Sequence, residues 1–271
     1  MARPLAHSVD VAIFGGGICG LWLLDELVRH GCNAVLLEAH ELGSGQTVGS
    51  QGIIHGGVKY AFAGGPSGAA AALSDMPRLW RRCLAGEVEP DLRGSRLRAE
   101  FCHLWRPASL TGRLGMWGAR TGLRVRPRRL PDAERSPVLA QVPGPVARLD
   151  EQVIEPASVL EVLAARHPRR IWKIDAEHGL EFNVAPDGDV HAIRLIQPEI
   201  GDAVDLHAER VVFAAGRGNG GLRERVGLSS AAQQTRPLHM LTVQGVPHPF
   251  NGHCVDRNTT PTGETLRETL S

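Results

Sequence analysis

A short apolar strand that runs directly into three consecutive glycines constrains the fold of this chain more than any other feature. Residues 9–14 have the branched, apolar composition of a buried parallel strand. Residues 15–20 fit G-x-G-x-x-G, and apolar residues then recur at helical spacing until Gly31, which offers a C-cap. A second apolar strand at 34–37 leads into Glu38. This order of strand, glycines, helix, strand and acid predicts a parallel α/β unit.

The residues of this unit suit the binding of a dinucleotide. Gly15 allows a tight turn, Gly17 lets the backbone approach a pyrophosphate, and Gly20 lets the helix pack closely on the sheet. Free N–H groups at the start of the helix favour the phosphate charge. Glu38 follows about 20 residues after the glycines, the spacing at which a carboxylate accepts hydrogen bonds from a ribose. The sequence therefore predicts a dinucleotide site.

A run of small and polar residues at 43–57 bears on which dinucleotide is bound. The run is too rich in glycine for an ordinary helix. Its backbone N–H groups and short hydroxyls could line a second large portion of the ligand. A nicotinamide-binding domain would instead continue with another helix and strand. A flexible surface loop and an NAD-dependent dehydrogenase nevertheless stay open as alternatives at this point.

Four segments together resemble a known family. They are the opening Rossmann unit with Glu38, Ser-Gly-Gln-Thr at 44–47, Ser-Gln-Gly-Ile-Ile-His-Gly-Gly at 50–57, and Arg-Val-Val-Phe-Ala-Ala-Gly at 210–216. They look like the FAD-dependent oxidoreductases of the D-amino-acid oxidase and glycine oxidase type. The His-Gly-Gly variant is also similar to the flavin-dependent glycerol-3-phosphate and L-2-hydroxyglutarate dehydrogenases. The resemblance implies an α/β fold, in which a Rossmann-type FAD-binding domain is interleaved with an α+β substrate domain.

The resemblance also implies how the chain is divided. We expect residues 1–80 and 146–228 to form the FAD-binding domain, and residues 81–145 and 229–271 to form a partial substrate domain. After Asp256 the sequence is polar and patternless, whereas family members continue well beyond this point. We therefore expect the chain to be shortened at its C-terminus relative to the family. A shortened, non-catalytic flavoprotein, or a subunit completed by a partner chain, is the second hypothesis.

The implied cofactor is FAD, which would take a hydride from the C–H of a small amine, amino acid or 2-hydroxy acid. His55 and Lys59 are the candidate catalytic residues, because a cation near the flavin would stabilise negative charge on the reduced ring. His239 and His253 are weaker candidates for a proton acceptor. The expected cofactor-binding residues are Gly15, Gly17, Gly20, Glu38, Ala39, Gly45, Gln46, Thr47, Ser50, Gln51, Gly52, Ile174, Ala214, Ala215 and Gly216.

Composition argues against several other classes of protein. The five cysteines include no C-x-x-C pair, which argues against a disulfide framework or a metal site and favours a reducing cytoplasm. No apolar run approaches the ~20 residues of a membrane span, and residues 1–8 lack the pattern of a secretory signal. Arginines cluster at 91–135, but arginine outnumbers lysine along the whole chain, so we expect no nucleic-acid partner. Oxygen or a quinone is the expected electron acceptor, and a quinone would allow peripheral membrane contact.

Overall fold

The computed structural model describes residues 5–57, 73–105, 127–142, 144–196, 203–234 and 250–254. These residues fall into two compact units. The first unit takes its described residues from Met1–Ser50 and Pro156–His239, and the second from Gln51–Glu155 and Met240–Ser271. Both units are therefore assembled from segments that are distant in the sequence.

The first unit is built on a six-stranded mixed sheet. Its strands are β1 (Leu5–Phe14), β2 (Ala34–Glu38), β8 (Ile171–Lys173), β9 (Leu180–Val184), β10 (Val190–Ile196) and β11 (Ala203–Phe213). The strand order is β8-β2-β1-β11-β10-β9, in which β8, β2, β1 and β11 are parallel and β11, β10 and β9 are paired antiparallel. The apolar run predicted as the first strand lies between two parallel neighbours, and Ala12 and Ile13 within it are fully buried, as such a position requires.

Among the described residues, three α-helices accompany this sheet: α1 (Ile18–Arg29), α3 (Pro156–Arg166) and α4 (Asn219–Arg225). Helix α1 begins directly after the glycines, with Gly17 as its N-cap residue. The chain leaves α1 through Gly31 at φ +83°, a left-handed conformation that glycine adopts readily. The βαβ order of β1, α1 and β2 predicted from the sequence is therefore present.

The described elements of the second unit are α2 (Met76–Leu84), β3 (Leu97–Ala99), β4 (Cys102–Trp105), β5 (Arg128–Arg129), β6 (Val146–Leu149), β7 (Val153–Ile154) and β12 (Gly252–Cys254). They form a four-stranded sheet with the order β12-β4-β6-β5 and a separate two-stranded pair, β3-β7. Cys102 and Leu104 of β4 pack with Ala147 and Leu149 of β6 in a buried apolar cluster. This unit is thus a mixture of short strands and helix, as expected for an α+β domain.

The division between the units differs from the predicted boundaries of residues 1–80 and 146–228. Strand β6 pairs antiparallel with β4, and Ile53 forms a bridge with Val153, so these residues belong to the second unit. Pairing over long sequence separations, rather than local composition, sets the boundaries. The assignment of cofactor and substrate to particular units stays a prediction.

Strand β1 also begins earlier than predicted, at Leu5 rather than Val9. Residues 5–8 are exposed but continue the parallel ladder with β11, in which Leu5 lies opposite Val204. Exposed strand residues carry no apolar signal, which is why the sequence pattern did not reveal them. Among the described residues, none of the helices has both the length and the apolar character needed to cross a bilayer.

Candidate cofactor site

Three parallel strands of the first unit end side by side. Phe14 of β1 lies opposite Leu37 of β2 and Phe213 of β11. The ladder continues past the strand ends, since the Ala214 N–H donates to the Phe14 carbonyl at 2.8 Å. On the other side, the Gly15 N–H donates to the Leu37 carbonyl at 2.9 Å. The carboxyl ends of parallel strands are where open α/β sheets bind ligands.

The first and third fingerprint glycines are needed for close backbone packing. Gly15 has φ +110°, and a Cβ there would lie 2.5 Å from the Ala215 Cα and 2.6 Å from the Ala214 carbonyl oxygen. A Cβ on Gly20 would lie only 1.9 Å from the Gly15 carbonyl oxygen. Both positions therefore exclude any side chain, so that α1 can start immediately beside the strand ends.

Gly17 differs because the space that a side chain at this position would enter is almost empty. A Cβ there would lie 3.0 Å from the Thr47 Oγ1, with no other described atom within 4 Å. The same Thr47 hydroxyl accepts a hydrogen bond from the Ile18 N–H at 3.1 Å. A larger residue at position 17 would thus occupy the space in front of the helix N-terminus, where a pyrophosphate is held in this fold.

Glu38 ends β2 with its carboxylate directed at backbone N–H groups. Its Oε2 accepts from the Gly16 N–H at 2.5 Å, and its Oε1 accepts from the His40 N–H at 2.7 Å. An ionised carboxylate has about four acceptor positions, so it can hold the glycine turn and still accept from a ribose hydroxyl. The neighbouring Ile174 is buried, and its N–H donates to the Glu38 carbonyl at 2.9 Å.

The turn after β11 brings a further segment to the same edge of the sheet. Gly216 has φ +53°, and a Cβ there would lie 3.3 Å from the Gln46 Oε1. The turn is held by two side chains that the sequence did not single out. Asn219 accepts from the Ala215 N–H at 2.7 Å, and the Gln233 Nε2 donates to the Gly216 carbonyl at 2.9 Å. Asn219 lies at the start of a helix, where asparagine side chains often cap backbone N–H groups, and this is the sequence feature that could have identified it.

Most of the predicted cofactor residues therefore lie around one edge of the first unit. Ser50 belongs to the same unit, and its hydroxyl donates to the Thr47 carbonyl at 2.8 Å. Gln51 and Gly52 belong to the second unit, where the Gly52 carbonyl accepts from the Ile154 N–H at 2.9 Å. The residues brought together around the strand ends are Gly15, Gly17, Gly20, Glu38, Ala39, Gln46, Thr47, Ile174, Ala214, Ala215 and Gly216. Gly45 lies in the same glycine-rich segment, and a Cβ there would meet no described atom within 4 Å.

Of the candidate catalytic residues, the structure describes His55 and His253. His55 belongs to the second unit, and Lys59 and His239 lie outside the described residues. His55 is instead found with His253 and Glu151, a residue that the sequence did not single out. The only sequence signal at Glu151 was an acidic pair, residues 150–151, placed between two apolar strands.

Glu151 is 1% exposed, accepts one backbone hydrogen bond and faces two histidines. Its Oε1 accepts from the Gly56 N–H at 2.7 Å, and its Oε2 lies 3.5 Å from the His55 Nδ1 and 3.6 Å from the His253 Nε2. Burial alone would raise the pKa of Glu151, but His253, His55 and the Gly56 N–H outweigh it and lower the pKa to about 2. The side chain is therefore a buried carboxylate.

Comparison with known proteins places these features in context. The sequence profile of the DAO family, described as FAD dependent oxidoreductase, matches residues 10–259. The probable FAD-dependent oxidoreductase PA4991 of Pseudomonas aeruginosa is 38% identical over 264 residues, which are 95% of this chain and 64% of that protein. The glycerol-3-phosphate dehydrogenase of the same organism is 39% identical over 59 residues, 22% of this chain and 12% of that protein.

Solved structures show the same fold. The crystal structure of PA4991 matches with a TM-score of 0.69 and 33% identity, covering 94% of this chain and 60% of that one. Glycine oxidase from Geobacillus kaustophilus matches with a TM-score of 0.59 and 19% identity, covering 82% of this chain and 59% of the oxidase. The chain thus spans less than two thirds of the length of these relatives.

Proposed function

The chain belongs to the DAO family of FAD-dependent oxidoreductases, and from this premise we propose that it binds FAD at the carboxyl ends of β1, β2 and β11 and oxidises a small amine, amino acid or 2-hydroxy acid. The bound flavin would supply the chemistry, accepting a hydride from the substrate C–H. The protein would supply binding, orientation and electrostatic stabilisation. The family match favours FAD over NAD, the alternative that the glycine fingerprint left open.

The observation that carries the proposal is the convergence of the glycine turn, Glu38, Thr47 and the segment after β11 on one edge of the sheet. The N-terminus of α1 offers N–H groups and a positive dipole end to a pyrophosphate. Glu38 offers a carboxylate to a ribose and repels a 2′-phosphate. Gly216, at the end of the turn, lets the backbone pass close to the ligand.

The substrate class and the catalytic residues come from the family resemblance. We propose His55 and Lys59 as groups that stabilise negative charge on the reduced flavin, and oxygen or a quinone as the acceptor. Cys19, Cys32, Cys83 and Cys102 are all free thiols, which supports a proposal that the protein works in a reducing cytoplasm.

The proposal is tested by Gly17→Val, which fills the space in front of α1 with a branched side chain. We expect the unaltered protein to purify with a flavin absorption spectrum, and the variant to lose FAD while keeping its far-ultraviolet circular dichroism. Retention of fold is expected because the only described atom close to the new Cβ is the Thr47 Oγ1, at 3.0 Å.

A matched control is Gly221→Ala, since a Cβ at that position meets no described atom within 4 Å. This variant should keep its FAD. An equal flavin content in Gly17→Val and the control would place the pyrophosphate elsewhere. Reduction of the flavin by a panel of amines, amino acids and 2-hydroxy acids, followed by reoxidation with oxygen or a soluble quinone, then tests activity. Bound FAD without reduction by any of them would favour the non-catalytic alternative.

A further inference from the structure

Three side chains that are known metal-ligand types converge inside the second unit. His55 follows the bridge formed by Ile53, Glu151 lies between β6 and β7, and His253 lies on β12. The imidazole rings of His55 and His253 have centroids 5.2 Å apart, and the Glu151 carboxylate faces one nitrogen of each. One potential ligand atom from each residue lies within 4.8 Å of the other two. Sheet pairing thus brings together residues that are about 100 positions apart.

These three atoms are buried and lack hydrogen-bond partners. Within the part of the chain that the structure describes, the His55 Nδ1, the Glu151 Oε2 and the His253 Nε2 all have no hydrogen bond. The Glu151 side chain is 1% exposed and the His253 side chain 12%. Buried polar atoms are costly to leave unpaired, and one cation bound between these three would satisfy them together.

The distances fit a shared cation better than direct hydrogen bonds. The carboxylate oxygen lies 3.5 Å and 3.6 Å from the two nitrogens, beyond the ~2.7–3.2 Å of an N–H···O bond. Two ligands held ~2.1 Å from one zinc ion in a tetrahedral arrangement lie ~3.4 Å apart. In an octahedral iron site with the same ligands, neighbouring ligand atoms would lie only ~3.0 Å apart. The two oxygen–nitrogen distances are therefore close to those of a tetrahedral zinc site.

We propose that His55, Glu151 and His253 form a binding site for one divalent transition-metal ion of the zinc class. Two imidazole nitrogens and one carboxylate oxygen are a ligand set that zinc accepts, and a fourth position would be taken by water or a small ligand. The Gly56 N–H, which donates to the other oxygen of Glu151, orients the carboxylate toward the histidines. All three ligands lie within the second unit. His55 is also proposed above to act at the flavin, and metal ligation would be a different role for that side chain, so Zn²⁺ uptake is measured separately from flavin binding.

The test is a Zn²⁺ titration of the full chain, purified without a histidine tag and stripped of metal with a chelator. We expect one equivalent of Zn²⁺ to bind by calorimetry and to remain after dialysis, measured by atomic emission. Glu151→Gln keeps the volume of the side chain and an acceptor for the Gly56 N–H, yet removes the anionic ligand. Because partners outside the first coordination shell are already worth about 10–100-fold in affinity, we expect at least a ~100-fold loss.

His253→Ala is the second ligand variant and should show the same loss, which keeps the test valid if one variant folds poorly. The matched control is His178→Ala. The His178 Nδ1 lies 3.5 Å from the Asp175 Oδ2, a similar histidine–carboxylate separation, but its side chain is 82% exposed. This control should bind one equivalent of Zn²⁺ as the unaltered chain does. An unaltered chain that takes up no Zn²⁺, or ligand variants that bind it with undiminished affinity, would overturn the proposal.

Discussion

The absence of a side chain at Gly20 allows helix α1 to begin directly beside the end of β1. A Cβ at this position would lie 1.9 Å from the Gly15 carbonyl oxygen, and the atom it would meet is backbone, which cannot rotate away. Gly15 is itself fixed between β2 and the turn after β11 by the Leu37 carbonyl and the Ala214–Ala215 backbone. Gly15 and Gly20 are therefore required for packing of the fold, in addition to their proposed role in cofactor binding.

Gly20→Ala should accordingly lower the free energy of unfolding by about 3 kcal/mol, the upper end of the overpacking range, because α1 must move away from the sheet. Gly221→Ala, in helix α4, provides the comparison. It should raise stability by about 0.5–1 kcal/mol, since alanine restricts the unfolded chain and fits the helix. Urea unfolding followed by circular dichroism measures both, and equal transition midpoints for the two variants would contradict the packing argument.

Helices α1 and α3 are joined by a buried carboxylate. Asp25 of α1 is 1% exposed and lies 2.8 Å from the His167 Nε2, 3.1 Å from the Arg166 Nη1 and 3.2 Å from the Arg29 Nε. Burying a charge is unfavourable unless several partners satisfy it, and here the partners come from both helices or their ends. The cluster therefore specifies how α3 lies against α1, whereas apolar burial supplies most of the stability.

Removing this carboxylate should leave two arginines and a histidine facing an uncharged methyl group. We expect Asp25→Ala to destabilise the protein by roughly 2–3 kcal/mol, below the full ~3–5 kcal/mol of a completely buried pair because the arginines are partly exposed. Glu41→Ala breaks the surface contact with Lys173, at 3.5 Å, and serves as the control. It should change stability by less than ~0.5 kcal/mol. Similar losses in the two variants, measured by chemical unfolding, would refute a special role for Asp25.

Across the whole molecule, each compact unit depends on strand pairs between distant segments. In the first unit β1 pairs with β11, and in the second β4 pairs with β12. The second unit also encloses two cysteines, Cys83 and Cys102, both fully buried. Burial, with a smaller contribution from the charge of Glu151, raises the pKa of Cys102 to about 12. The reactivity of these two thiols therefore reports whether the second unit is folded.

Thiol alkylation at neutral pH should separate the cysteines by burial. A rise in pKa from 9.0 to about 12 lowers the thiolate fraction of Cys102 about 1000-fold, since each pKa unit is tenfold. We expect Cys19, which is exposed, to be alkylated rapidly, and Cys83 and Cys102 to react only as fast as the second unit unfolds. Peptide mass spectrometry after timed quenching resolves each site, with urea added as the positive control. Labelling of Cys102 at the rate of Cys19 in native buffer would show that Cys102 is not buried in the folded second unit.

The local sequence pattern was enough to predict β1, α1 and β2, which lie beside the proposed cofactor site. The alternation of apolar strand, glycines and amphipathic helix defined β1, α1 and β2 because each of these depends on residues close in sequence. The Pro-Asp-Gly-Asp sequence at 186–189 is a turn signal of the same local kind, and Gly188 has φ +94° there, between β9 and β10. The spacing of Glu38 from the glycines placed its carboxylate beside the turn for the same reason.

Only the tertiary structure decided which distant side chains meet. Nothing near Glu151 in the sequence indicates His55 or His253, and nothing near Asp25 indicates His167, since each meeting depends on how remote segments pack together. The boundaries between the two units have the same origin in the pairing of β6 with β4 and of β1 with β11. The sequence by itself determined the Rossmann unit and predicted a nucleotide site in it. Only the folded structure determined the buried polar clusters. Hydrophobic periodicity indicates the structure of a single helix or strand, whereas these clusters depend on strand register and on the packing of several elements.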